Sequence, residues 1–332
     1  MKVAIVILNW NGRQLLKKFI PSIVKYSNLP NVEIVVADNA STDDSVNFIQ
    51  QNYPTIKIVL NKKNGGYAKG YNDALQHVKA DVFALVNSDI EVTNGWLNSI
   101  LDTFKNEPSA AIIQPKILDY KNKTKFEYAG AGGGFIDKYG YPYCRGRIFN
   151  NLETDTAQYN DVTEIFWASG ACFFIRAKVF NELNGFDENY FAHQEEIDLC
   201  WRAKNLQKTI KYVGSSTVYH IGGATLKEAS PRKTFLNFRN SLFTLAKNLP
   251  SSKIIPIIFS RLILDGIAGI KFLFELRPIH TFAIVKAHFS FYYYLSQTLN
   301  NRSGLQQKNN YYTLKSIVWE HFVLKKKTYK EL

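Results

Sequence analysis

The sequence predicts an α/β fold, a mostly parallel central sheet with helices on both faces, followed by a C-terminal helical region. Three observations carry this. Four short runs, Val3–Leu8, Glu33–Ala37, Ile56–Leu60 and Val82–Val86, are rich in β-branched residues and nearly continuous in apolar character, as strands buried on both faces are. Segments with helical spacing separate them, and alternating strand and helix implies a parallel sheet. The composition then changes at Pro231, beyond which 16 Lys and Arg face 4 Asp and Glu, a net of +12 out of the chain's +13. With 332 residues, 46% of them apolar, the chain can build a substantial core.

Taken in order, Arg13–Tyr26 places Leu15, Leu16, Phe19, Ile20 and Ile23 on one helical face, and Ser45–Gln51 and Lys69–Val78 read as further helices. The segment from Pro115 to Asn160 is rich in Gly, Tyr and Lys and reads as a loop-rich insertion with short strands. Phe166–Ile175 and Ile210–Tyr219 read as strands, with Glu195–Asn205 as a helix between them. These elements make residues 1–230 one α/β domain, and residues 231–332 a basic, apolar helical region.

The amino terminus is too soon broken by Asn9, Asn11 and Gly12 to be a signal peptide. No stretch supplies the roughly 18 uncharged apolar residues of a membrane span. Cys144, Cys172 and Cys200 are widely spaced, which points to a reducing compartment and to neither a zinc site nor a disulfide framework. A cytoplasmic location is expected.

In open α/β sheets ligands bind beyond the carboxyl ends of the strands. Here each strand is followed by a polar loop: Asn9-Trp10-Asn11-Gly12, then Asp38-Asn39-Ala40-Ser41-Thr42-Asp43-Asp44, then Asn61 to Tyr67, then Asn87-Ser88-Asp89. Asp89 ends a buried strand, where a carboxylate either caps a turn or ligates a divalent cation shared with phosphate oxygens. Asp38 can accept from a nucleobase N–H or a ribose hydroxyl, while the Ser/Thr/Asp cluster after it can cap the next helix. The loop Asn64-Gly65-Gly66-Tyr67-Ala68-Lys69-Gly70-Tyr71-Asn72 resembles a phosphate cradle without the ending of a P-loop, so its glycines mark a close backbone approach or a tight turn. Gly130 to Phe135 likewise fails the dinucleotide fingerprint.

Glu195 and Glu196 open a helix in which Asp198 and Arg202 form an i,i+4 pair. Acids in a first turn suit the helix dipole, and they can equally serve as a general base. His220 ends a strand before two glycines. It is either structural or, beside Asp89, a second ligand for Mn²⁺ or Mg²⁺.

Each motif is weak alone, but their order is specific. The chain carries, in sequence, Asn-Trp-Asn-Gly, Val-Ala-Asp-Asn-Ala-Ser-Thr-Asp, Asn-Gly-Gly-Tyr-Ala-x-Gly-x-Asn, Asn-Ser-Asp, Ser-Gly-Ala-Cys, Gly-Phe-Asp-Glu, Glu-Glu-Ile-Asp-Leu-Cys-Trp-Arg and His-x-Gly-Gly-Ala-Thr. Over about Lys2–Asn248 this resembles the family-2 glycosyltransferases with the Rossmann-like GT-A fold, in the rhamnosyltransferase-like branch.

The resemblance implies an inverting, metal-dependent hexosyltransferase that uses a UDP- or dTDP-linked sugar. It implies that Asn9, Asp38, Asn64, Gly66, Tyr67, Gly70, Asn72 and Asn87 serve the donor, that Gly170 and Trp167 lie on the acceptor side, and that Asp89 and His220 hold the metal. Glu196 matches the usual base, with Glu195 as its rival. The sequence departs from the family twice: Asn87 stands where some members have a first Asp, and Glu196 where Asp is commoner.

The acceptor implied is a saccharide or a lipid-linked saccharide. The basic, aromatic tail suits helices lying on an anionic membrane at the inner face, or an ordinary helical subdomain; no nucleic-acid motif is present. Two rivals remain. A nucleotidyltransferase is disfavoured by the absence of a Gly-rich loop after the first strand, and a non-catalytic nucleotide-binding protein would release no nucleoside diphosphate.

Overall fold

The computed structural model of the protein describes residues 1–222, 230–302 and 310–332. The end of the His-x-Gly-Gly-Ala-Thr motif, from Gly223 to Thr225, lies outside the described residues.

The chain runs β1 (Val3–Asn9), α1 (Arg13–Tyr26), β2 (Val32–Asp38), α2 (Ser45–Asn52), β3 (Lys57–Leu60), α3 (Gly66–Leu75), β4 (Val82–Asn87), β5 (Ile90–Val92), α4 (Asn98–Asn106) and β6 (Ala110–Asp119). Four short strands follow, β7 (Gly134–Ile136), β8 (Pro142–Cys144), β9 (Arg147–Ile148) and β10 (Asn151–Leu152). Then come β11 (Val162–Glu164), β12 (Cys172–Arg176), α5 (Ala177–Glu182), α6 (Glu195–Asn205) and β13 (Thr209–His220). Three long helices, α7 (Pro231–Asn248), α8 (Ser251–Phe274) and α9 (Pro278–Asn300), come after them.

The central sheet has the order β11-β13-β6-β12-β4-β1-β2-β3, with β5 paired to β13. It is parallel across β3, β2, β1 and β4, and mixed beyond, because β12 lies antiparallel between β4 and β6. Both faces are covered. Ala4 and Val6 of β1 face a core shared with α3, α5 and α6, whereas Val3, Ile5 and Ile7 face one shared with α1, α2 and α4. That double burial is why these strands read as continuous apolar runs rather than alternating ones. The three cysteines are buried and free.

Several expected boundaries move. The glycine segment from Asn64 to Asn72 is helical from Gly66 onward, three residues before the expected start of that helix. β6 extends through Pro115 to Asp119, so only the remainder of the insertion is irregular; β7 to β10 make it a separate four-stranded sheet. The expected strand Phe166–Ile175 divides: Trp167 makes an isolated bridge to Gly134, a turn follows at residues 170–171, and only Cys172–Arg176 pairs with β4 and β6. The change of composition at Pro231 is not a break in packing, since Leu242, Phe243, Leu245 and Ala246 of α7 join the same core as β1 and β4.

Candidate active site at the carboxyl edge of the sheet

Register places the candidate side chains of the strands on one edge. Asn9 pairs with Asp38, Leu8 with Asn87, and His220 with both Asp119 and Ile90, the neighbour of Asp89. β12 runs the other way, so the Ser169-Gly170-Ala171 turn that precedes it reaches the same edge, where the Asn87 N–H donates to the Ala171 carbonyl at 2.9 Å.

At the β1–β2 end, Asn9 and Asp38 are both buried. The Asn9 amide donates to Asp38 Oδ2 at 3.0 Å, and the Ser41 N–H donates to Asp38 Oδ1 at 2.8 Å. Asp38 is thus held by its own loop and by the end of β1. The polar cluster after it does little capping of α2. Instead the Asn11 amide oxygen accepts from the Thr42 N–H at 2.7 Å, and Asp43 accepts from the Arg13 N–H at 3.0 Å, lacing this loop to the start of α1.

A ladder of amides joins the second and third loops. The Asn61 side chain donates to Asn39 at 3.1 Å and to the Gly70 carbonyl at 2.9 Å, while Asn39 donates to Asn64 at 2.9 Å and to the Gly66 carbonyl at 3.0 Å. Gly66 has φ +80°, and a Cβ there would fall 2.4 Å from the Phe191 carbonyl oxygen; at Gly70 a Cβ would meet the Asn39 amide at 3.0 Å. The glycines therefore serve close approach of α3 to its neighbours.

Tyr67 points across the edge. Its hydroxyl donates to the Gly170 carbonyl at 2.7 Å, and its ring stands edge-on to Tyr71. Burial, then Tyr71 and the carboxyls of Glu195 and Glu196, push this phenol well above its ordinary pKa, which keeps it a donor. Asn72 has both amide atoms on the Phe186 backbone, at 2.8 and 2.9 Å, so it clasps the Gly185–Glu188 turn to α3 and is not free for a donor sugar.

Asp89 and His220 meet. Oδ1 of Asp89 lies 3.2 Å from Nε2 of His220, with both residues nearly enclosed. On the other side of the ring, Oε1 of Glu127 lies 3.4 Å from Nδ1, close enough to act electrostatically but outside hydrogen-bond geometry. Burial alone would lower the imidazole pKa; the Asp89 and Glu127 carboxylates outweigh it and raise the value to about 10. Glu127 went unnoticed in the sequence because it lies in the irregular insertion, with no strand end to mark it.

The donor set fits a divalent cation once the ion displaces the proton that Asp89 and Glu127 hold on the His220 ring. Adjacent ligands of an octahedral ion with bonds of about 2.1 Å stand about 3 Å apart, which the Asp89–His220 separation matches, and a carboxylate with an imidazole suits Mn²⁺. Among the described residues no three His, Cys, Asp or Glu side chains converge on one point, so an ion here would take its remaining ligands from a substrate or water.

The third component opens α6. Oε2 of Glu195 and Oε2 of Glu196 are both enclosed and have no hydrogen-bond partner. Burial raises the Glu196 pKa to about 7; burial and the neighbouring Glu196 raise that of Glu195 well above the carboxylate range. A methyl group on Gly170 would lie 3.3 Å from the Tyr67 hydroxyl and 3.7 Å from the Glu196 carboxyl carbon, so Gly170, Tyr67 and Glu196 border one space. Trp167 does not. Its indole is buried, packs onto Gly134 and donates to the Phe135 carbonyl at 2.8 Å, which corrects its expected place on the acceptor side.

The helix itself is anchored at Asp198, which accepts from Arg202 at 2.8 Å, Lys247 at 3.0 Å and Asn248 at 2.8 Å. Burial would raise its pKa, but Arg202 and Lys247 hold it down to about 2. Just ahead of Glu195, Phe191, His193 and Gln194 all have positive φ, at a cost of roughly 1–2 kcal/mol each for non-glycine residues. A cavity of about 310 Å³ bordered by Phe135, Phe166, Trp201 and Tyr311 also touches Asn205, at the far end of α6, and holds none of these groups.

Residues 4–183 match the family model described as Glycosyl transferase family 2. The chain is 26% identical over 232 residues to the N-acetylglucosaminyl-diphospho-decaprenol L-rhamnosyltransferase of Mycobacterium tuberculosis, covering 65% of this chain and 75% of that one. It is 23% identical over 284 residues to the low-salt glycan biosynthesis hexosyltransferase Agl10 of Haloferax volcanii, covering 82% and 85%. Among solved structures, a mannosyltransferase from Pyrobaculum calidifontis in complex with GDP-Man and Mn²⁺ superposes with a TM-score of 0.54 at 12% identity, covering 88% of this chain and 87% of that one. GalNAc-T7 with UDP, GalNAc and Mn²⁺ superposes with a TM-score of 0.59 at 13% identity, covering 90% of this chain and 57% of that longer one. At such identities the structural likeness speaks for the GT-A fold.

Proposed function

This chain belongs to glycosyl transferase family 2, and from that premise we propose that it moves a sugar from a UDP- or dTDP-linked donor to a hydroxyl of a saccharide or lipid-linked saccharide, inverting the anomeric centre, in cell-surface polysaccharide synthesis. The observation that carries the reading is Glu196, a carboxyl with an enclosed, unpartnered oxygen and a pKa near 7, on the sheet edge that also presents Asp38, Asp89 and His220.

Each group has a task. Asp38 and the Asn39–Asn61–Asn64 ladder line the nucleoside end of the donor. Asp89 and His220 would hold the Mn²⁺ or Mg²⁺, which when bound offsets charge developing on the diphosphate. Glu196 takes the proton of the acceptor hydroxyl as that oxygen bonds to the anomeric carbon and the bond to the diphosphate breaks from the opposite face. Tyr67, bonded to the Gly170 carbonyl, fixes the wall between donor and acceptor. A group with a pKa near 7 is matched to this work, because it is part ionised at neutral pH and still a competent base. Burial and the adjacent Glu196 raise the Glu195 carboxyl in the same direction, so the two groups titrate as a pair.

The acceptor meets the site at a membrane surface. No helix among the described residues is long and apolar enough to cross a membrane. α8 instead presents Ile255, Phe259, Ile263, Ile267, Ile270 and Phe274 outward, and α9 presents Ile279, Phe282, Val285, Phe289 and Tyr292, both at helical spacing. An outward apolar stripe on a strongly basic region suits an anionic lipid interface.

The functional test is Glu196→Gln. Donor binding, followed by calorimetry with the nucleoside diphosphate and Mn²⁺, should persist while transfer falls by about a thousandfold. Unchanged turnover would move the base elsewhere.

A further inference from the structure

Immediately before the two glutamates the backbone is strained. Phe191 (φ 63°, ψ −58°) is the centre of a γ-turn, closed by the Ala192 N–H donating to the Tyr190 carbonyl at 2.8 Å. This is the rarer and more strained hand of that turn. His193 (φ 70°) and Gln194 (φ 76°) follow in the left-handed region, and Glu195 and Glu196 come next. Such a run persists only where its surroundings over-determine it.

Those surroundings come from α7. Asn240 is fully buried, and its single amide nitrogen donates to the carbonyls of Tyr190 at 3.0 Å, Ala192 at 2.9 Å and His193 at 2.8 Å. Two N–H groups serve three acceptors, so one is shared. Arg239 adds a bond to the Asn189 carbonyl at 3.1 Å. From the opposite side the Tyr67 N–H donates to the Phe191 carbonyl at 3.0 Å, which ties the same turn to the donor side of the site.

We infer that Asn240 is a positioning residue for the transfer reaction: it holds the strained Phe191–Gln194 turn, and thereby fixes where Glu195 and Glu196 stand relative to Tyr67. The inference rests on the reading of Glu196 as the base. It makes α7 part of the catalytic unit, although α7 lies beyond the residues 4–183 that match the family model. Because Asp198 anchors the body of α6 to Lys247 and Asn248 independently, loss of the Asn240 amide frees the turn without undocking the helix.

The test compares four full-length proteins: wild type, Asn240→Ala, Gln194→Gly and the double variant. Two readouts are used, amide hydrogen exchange across residues 190–197 and steady-state release of nucleoside diphosphate. Asn240→Ala should speed exchange in that window by about tenfold or more while the central strands stay protected. It should lower kcat by about tenfold and leave the donor KM within about threefold.

Gln194→Gly alone sets the background against which the double variant is read. In the double variant it should recover part of both losses, because glycine takes a left-handed conformation without strain. A purely structural role would lower the melting temperature with neither the split between kcat and KM nor the rescue by glycine. Should Asn240→Ala not fold, Asn240→Ser, which keeps one donor, carries the same comparison with smaller effects. Unchanged exchange across 190–197, or full kcat with a loosened turn, would overturn the inference. A wild type that releases no nucleoside diphosphate would overturn the catalytic reading, and the positioning role with it, whereas the exchange result separately decides whether Asn240 holds the turn.

Discussion

At the first turn of α6 two carboxyl groups lie side by side where neither is well placed as an anion, and the consequences can be measured. The raised Glu196 pKa means that the folded state holds this proton more tightly than the unfolded chain, so the associated stabilisation is present below the unfolded value near 4.5 and is lost as the pH rises through about 7. Transfer has the opposite dependence. Glu195, Tyr67 and Cys200 face the group, and with Glu196 as base kcat should climb as the pH passes about 7. Glu196→Gln should remove that limb and, at pH 8, raise stability by roughly 1–3 kcal/mol in thermal or urea unfolding. A variant that is both inactive and less stable would contradict the account of this site. Glu127 gives a second residue-level prediction. With His220 in the proposed metal-holding role, the Glu127 carboxylate adds negative charge behind the ring, so Glu127→Ala should weaken Mn²⁺ binding by about tenfold, read by titrating the metal in the presence of nucleoside diphosphate. The strand-end positions of Asp38, Asp89 and His220 were readable in the sequence because each follows an apolar run. Glu127 was not, since nothing local marks a carboxylate in an irregular insertion, and Trp167 misled because an aromatic beside a polar turn reads the same whether it faces a ligand or the core.

Elements were readable to the extent that their neighbours did not redefine them. α1 and α6 fall where periodicity puts them: α1 buries one face on the sheet, and α6 is enclosed on nearly every side by the sheet and α7. α3 begins at Gly66, despite a segment that reads as a loop, because the amide ladder and the Phe191 carbonyl satisfy the groups a bare glycine turn would leave open. Those partners are distant in sequence, and no local pattern announces them. Gly66→Ala therefore combines a φ of +80° with a 2.4 Å clash on backbone, and it should lower the melting temperature by several degrees and weaken donor binding. Gly95→Ala is the control: φ is +74° there too, but the nearest atom stands at 3.4 Å, so only the backbone term of about 1 kcal/mol applies. Equal losses in the two variants would remove the significance assigned to the Gly66–Phe191 approach.

Across the whole molecule the sheet order sets the chemistry. Parallel β1, β2 and β4 bring Asn9, Asp38 and Asn87 to one edge, reversed β12 carries Gly170 back to it, and β13 returns His220 to Asp89. The first half of this was inferable from alternating strands and helices. The antiparallel insertion of β12 was not, because a short apolar strand looks alike in either direction. The tail divides its residues between the shared core and the outward stripe, which predicts that vesicles containing anionic lipid float the wild-type protein and that Phe259→Glu with Phe282→Glu leaves it at the bottom with its fold unchanged by circular dichroism. Equal flotation of both would assign the stripe to something other than lipid. The central claim, that this sheet edge performs metal-assisted transfer from a nucleotide sugar, is tested most directly by screening UDP-, dTDP- and GDP-linked sugars for release of the nucleoside diphosphate, with Mn²⁺ or with chelator. Release from at least one donor is expected, abolished by chelator and lost in Asp89→Ala; release that survives both, or no release from any nucleotide sugar, would rule out metal-assisted transfer at this edge.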